Sequence, residues 1–118
     1  MDFENILDSS YCHPKDAVSK YQAFRNKKVI ITTEIVKNLY YYTDLFYKIL
    51  VFSQYKNHSD EKAFRDMAVG LCYVVDQTAK FSIFNHIKSY RLIKYIYKKH
   101  KDFIEPYLDS NKAMLNAF

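Results

Sequence analysis

Between His86 and Lys101 the sequence HIKSYRLIKYIYKKHK holds six lysines and arginines, three tyrosines and no acidic residue. Lys88, Arg91, Lys94 or Tyr95, Lys98 and Lys101 recur every three to four residues, so one helix carries them as a single stripe about 20 Å long. Cations at this spacing suit the repeated charge of a polyphosphate. Because most are lysines, few contacts would be bidentate, and the chemistry they support is sequence-tolerant phosphate binding. The same pattern also fits a solvated bundle face whose lysine stems cover apolar surface. Other basic residues extend the surface: Lys27 and Lys28 precede the second helix, Lys37 and Lys48 lie off its apolar stripe, and Lys62, Arg65 and Lys80 lie off that of the third. The candidate phosphate-binding residues are therefore Lys28, Lys37, Lys80, Lys88, Arg91, Lys94 and Lys98.

Catalytic and metal chemistry have thinner support. His13, His58, His86 and His100 stand singly, and the adjacent Cys12 and His13 cannot comfortably share one tetrahedral zinc. Cys72 falls on an apolar helix face, where inert thiols are the rule, although a Cys and a His far apart in sequence can still meet in space. Asp60, Glu61 and Asp66 are explained by capping and by pairs such as Lys62 with Asp66. An Arg followed closely by a His would suggest a helical ribonuclease, but Arg91 and His100 are nine apart. The expectation is a chain without catalytic residues, metal or cofactor. Cys12 and Cys72 match no metal or redox spacing, and the opening MDFENILDSS is acidic where a signal peptide would be basic and then apolar, so reduced thiols in a cytoplasm are expected.

These residues need a scaffold, and composition limits what it can be. The chain has 118 residues, 49% of them hydrophobic, which suits one domain. One glycine and two prolines leave little material for hairpin turns or Gly-rich phosphate loops. The net charge of +5 favours anionic partners, nucleic acid before membrane. No apolar run reaches membrane-spanning length, because Lys48, Arg65, Asp76 and Lys94 interrupt the longest candidates. The fold expected is all-α, a single compact antiparallel bundle of about five helices, with residues 1–14 as an N-terminal arm.

A short helix is expected from about Lys15 to Arg25. A long helix capped by Thr32 or Thr33 should run to about Gln54, burying Ile35, Leu39, Tyr42, Leu45 or Phe46, Ile49 and Phe52. A loop at 56–60, with Ser59 or Asp60 as cap, leads to a third helix with Phe64, Met67 or Ala68, Leu71, Val74 or Val75 and Thr78 on its apolar face. The basic helix ends near His100. A last helix from about Asp102 should hold Pro106 in its first turn, with Ala113 and Ala117 forming a smooth strip for a neighbouring backbone.

Thr32 to Leu39 reads TTEIVKNL, which resembles the Thr-Thr-x-x-Leu-Arg-Asn-Leu opening of the long helix in the small helical subunit of type III-A (Csm-type) CRISPR interference complexes. Tyr73, Phe81 and Phe84 resemble the spacing in that family's third helix. Phe103, Tyr107, Ala113 and Ala117-Phe118 resemble its final helix, and the likeness covers about residues 25–118. The chain departs from the pattern at Asp76-Gln77, where the family usually has Gly-Arg, at Gly70, a commonly basic place, and at Lys37, which replaces Arg. The family's aromatic-Gly tail after the last helix is missing. The resemblance implies a noncatalytic subunit, stacked with copies of itself and other subunits, that touches guide RNA and target RNA by their backbones. A competing class is a protein-interaction bundle, viral or cellular. For that class, Phe64-Arg65-Asp66 followed by Gly70 is similar to the groove motif of the Bcl-2-like fold, with the spacing off by one and the tryptophan absent.

Overall fold

Asp2 accepts a hydrogen bond from the Asn5 backbone N–H at 3.1 Å and so starts a helix within the first residues of the chain. The computed structural model describes residues 2–26, 33–53, 61–79 and 82–117. In them lie α1 (Phe3–Ser9), α2 (Pro14–Arg25), α3 (Glu34–Ser53), α4 (Glu61–Thr78), α5 (Ile83–Lys99), α6 (Lys101–Ser110) and α7 (Lys112–Ala117). The fold is all-helical, and no strand occurs among the described residues. Lys28, Lys80, Thr32, Phe81, Phe118, the loop at 56–60 and the caps Ser59 and Asp60 lie outside those residues.

Seven helices are described where about five were expected, for two local reasons. Within the stretch expected as an arm, α1 follows the Asp2 cap and buries Leu7, while Pro14 takes the first position of α2. His13 Nδ1 caps that helix by accepting from the Lys15 N–H at 3.1 Å. At the other end the last helix is divided at Asn111, whose backbone N–H and side-chain Nδ2 both donate to the Tyr107 carbonyl, at 3.1 and 2.8 Å. Pro106 stands inside α6 and not in its first turn. Its missing N–H therefore removes the bond that the Asp102 carbonyl would accept.

α4 lies at the centre, packed against α1, α2, α3 and α5. Every residue from Asp66 to Leu71 is buried, a run that only a helix surrounded on all sides can sustain. Gly70 sets how closely α5 approaches: a Cβ there would stand 2.8 Å from Ile96 Cδ1 and 3.0 Å from Ile93 Cδ1. Asp76, further along α4, pairs with Lys20 of α2 at 2.6 Å.

α3 is rotated slightly from its expected face. It buries Val36, Leu39, Thr43, Phe46, Ile49 and Leu50, half-buries Tyr42 and Phe52, and leaves Ile35 39% exposed. Thr43 is tolerated inside because its hydroxyl meets the fully buried Tyr21 hydroxyl at 2.7 Å, and Tyr21 also donates to Asp44 Oδ1 at 2.6 Å. Burial, followed by the Asp44 carboxylate, drives ionisation of the Tyr21 phenol far above its ordinary range. In α7 the buried residue is Leu115. Ala113 and Ala117 are exposed, so they do not form the seam that their spacing suggested.

The two cysteines are also placed differently from expectation. Packing α2 on α4 brings Cys12, just ahead of α2, against Cys72 of α4, and the structure joins the pair across 60 residues of sequence. Among the described residues no helix is long and apolar enough to cross a membrane.

Candidate nucleic-acid interface

α5 positions the basic residues by dividing its sequence between two faces. His86, Ser89, Leu92, Ile93 and Ile96 point inward at helical spacing, and the His86 ring bonds back to the Ser82 carbonyl through Nδ1 at 2.8 Å. Lys88, Arg91, Lys94 and Lys98 are all exposed on the other side. At 100° per residue they fall within an arc of about 120°, and they run about 15 Å along the axis. No acidic residue lies in α5, and none of the four forms an ion pair among the described residues. Lys94 Nζ lies 5.5 Å from the centre of the Tyr90 ring, and Tyr90 and Tyr97 both pack on Tyr42 of α3. Lys37 is exposed on α3, on a separate helix from the other four.

Arg91, Lys94 and Lys98 converge further, because α1 packs beside them. Together with Phe3 and Tyr95 they line an open recess of about 290 Å³. The Phe3 and Tyr95 rings stack there, with centroids 5.1 Å apart and planes inclined by 29°. Glu4 secures α1: it accepts from the Tyr95 hydroxyl and from Lys99 Nζ, whose distances to its two oxygens are 2.9 and 3.1 Å. Those two bonds hold the Glu4 carboxyl below its usual range, and the same carboxylate raises the Tyr95 phenol. The sequence reading missed Phe3 and Glu4. Their signal was Asp2 as a cap, with Phe3, Ile6 and Leu7 at helical spacing.

Beneath this surface sits a buried carboxylate. Asp66, 1% exposed, accepts from His100 Nε2 at 2.7 Å and is paired with Lys99 Nζ at 3.1 Å and Lys62 Nζ at 3.2 Å. Burial pushes its pKa up, but the hydrogen bonds from His100, Lys99 and Lys62 outweigh it and hold the carboxyl below its ordinary value. Lys99, linked to Glu4 as well, is held above the usual lysine range by these carboxylates despite its own desolvation. The pairing of Lys62 with Asp66 was expected from their spacing, whereas Lys99 and His100 are additional partners.

Other expected features have packing roles. Gly70 and Asp66, part of the groove-like motif, are both buried, and Arg65 lies outside with its guanidinium 5.6 Å from the Tyr11 ring centre. A second recess, of about 540 Å³, runs along α6 past His100, Phe103, Pro106 and Tyr107. Among the described residues no three His, Cys, Asp or Glu side chains converge as a metal site would require. Compared with protein families, characterised proteins and solved structures, the chain matches none.

Proposed function

We propose that this chain is a noncatalytic RNA-binding protein that holds the phosphate backbone on the outer face of α5. The single observation that carries this reading is the row Lys88, Arg91, Lys94 and Lys98, exposed together on a helix without acids. Surface lysines are usually neutralised in part by neighbouring carboxylates. Here Glu4, on the neighbouring α1, is already engaged by Tyr95 and Lys99. Unneutralised cations spaced along one line gain affinity by releasing counterions from a polyanion.

In its more specific form the proposal rests on the sequence resemblance. The chain would be the small subunit of a type III-A CRISPR effector complex in the cytoplasm, touching guide and target RNA while neighbouring subunits perform cleavage. Tyr41, Ile83, Phe84 and Met114, at 64, 45, 72 and 52% exposure, offer apolar surface for contacts with other subunits or copies of the chain. Lys37, Lys28 and Lys80 would add phosphate contacts.

RNA binding measured at two salt concentrations tests the proposal. Replacing Arg91, Lys94 and Lys98 together by Ala should weaken binding to unrelated RNA sequences about equally and reduce the salt slope by about 2, at about 0.7 for each contact to a single strand. Unchanged affinity would make the row a solvated face. The second reading, a protein-interaction bundle, would then be preferred. Binding of an amphipathic helical peptide would test it.

A further inference from the structure

The row of cations does not explain the recess beside it. Phosphate binding needs only charge, yet Arg91, Lys94 and Lys98 surround a floor made of two stacked rings, Phe3 from α1 and Tyr95 from α5. At about 290 Å³ the recess lies just below the roughly 300–1,000 Å³ of sites for drug-sized ligands, so it suits one flat ring better than a whole cofactor. No carboxylate lines it. We infer that this recess receives one unpaired base of a single-stranded RNA, stacked on the Phe3–Tyr95 pair, while Arg91, Lys94 and Lys98 hold the flanking phosphates.

This inference rests on the RNA-binding reading and names its substrate as single-stranded at this position. Aromatic platforms combined with a cationic track are how proteins bind single strands without reading sequence, since every base presents a π-face. The recess itself is apolar, lined by the two rings and the stems of Arg91, Lys94 and Lys98, and charge complementarity chooses this occupant over a wholly apolar partner because those three residues are exposed around it. Length chooses it over a lone phosphorylated side chain, because the row continues beyond the recess to Lys88, about 15 Å from Lys98. α1 takes on a role as well: it supplies half of the platform, fixed in place by Glu4 on Tyr95 and Lys99.

The experiment compares two labelled oligomers of about 12 nucleotides, within the span that single-strand binders cover. One is oligouridylate and the other an abasic ribose-phosphate chain of equal length and charge, both titrated against the full chain by fluorescence anisotropy. The expected result is at least about fivefold tighter binding of the base-bearing strand, the lower end of what one stacked base contributes. Phe3→Leu keeps an apolar anchor for α1 but removes the ring, and should bring the ratio below about twofold with the salt slope unchanged. Equal binding of the two oligomers by the unaltered protein, or a ratio that survives Phe3→Leu, overturns the inference while leaving phosphate binding intact. Binding of neither oligomer overturns the RNA reading along with it. Should Phe3→Leu not fold, the ratio for the unaltered protein decides alone.

Discussion

Asp66 shows most directly how a residue's role depends on what the fold brings to it. Its pairing with Lys62 could be read from the sequence, because an i,i+4 spacing makes the contact inevitable once the helix forms. Lys99 and His100 could not, since they lie more than thirty residues away and arrive only when α5 folds back along α4. The consequence is a pH dependence with a definite sign. Because the folded carboxyl titrates below its unfolded value of about 3.9, its contribution is complete above about pH 4 and is lost as pH falls through the lower folded value. Asp66→Asn should therefore cost about 1.5–3 kcal/mol at neutral pH, a range set by hydrogen bonds to a charged group, and the difference should shrink toward pH 3. Urea unfolding at pH 7 and pH 3 measures both. An equal loss at both pH values would show that Asp66 acts through packing alone.

At the scale of elements, periodicity was the legible part and junctions were not. The basic stripe of α5 and the burial of Leu39, Phe46 and Ile49 in α3 follow from helical spacing. The face of α3 nevertheless turned to put Val36 inside and Ile35 outside, because hydrophobicity alone does not separate adjacent apolar residues. Tyr21, a distant partner, drew Thr43 inward. α1 was overlooked because its seven residues make too short a pattern to stand out, and its stability comes from the Asp2 cap and from docking onto α4 and α5. Gly70 carries the clearest element-level test. Gly70→Ala adds a methyl that only the flexible ends of Ile96 and Ile93 meet, while gaining up to about 1 kcal/mol of helix propensity, so its stability should stay within about 1 kcal/mol of the original. Gly70→Val adds further bulk with less of that gain and should cost about 1–3 kcal/mol. Thermal unfolding of the two variants distinguishes a steric role for this glycine from a merely tolerated one.

At the scale of the whole molecule, the Cys12–Cys72 link ties the start of α2 to the central helix, closing a loop of 60 residues. Sequence spacing did not reveal it, because it depends on the packing of α2 against α4. Protein purified without reductant and then denatured should show no free thiols. Reduction should lower stability by about 2–4 kcal/mol, since a released link restores freedom to the unfolded chain. Two free thiols under those conditions would leave packing alone to hold the α1–α2 turn on α4. The α5–α6 junction has a different kind of consequence. His100 both ends α5 and precedes α6, with no linker between them, while its ring holds Asp66. One inserted residue there would swing α6 by about 100° and draw the imidazole off the carboxylate. Over evolutionary time the spacing from Arg91 to Ile104 should therefore be inherited as a fixed length, and descendants of this sequence should gain or lose residues elsewhere.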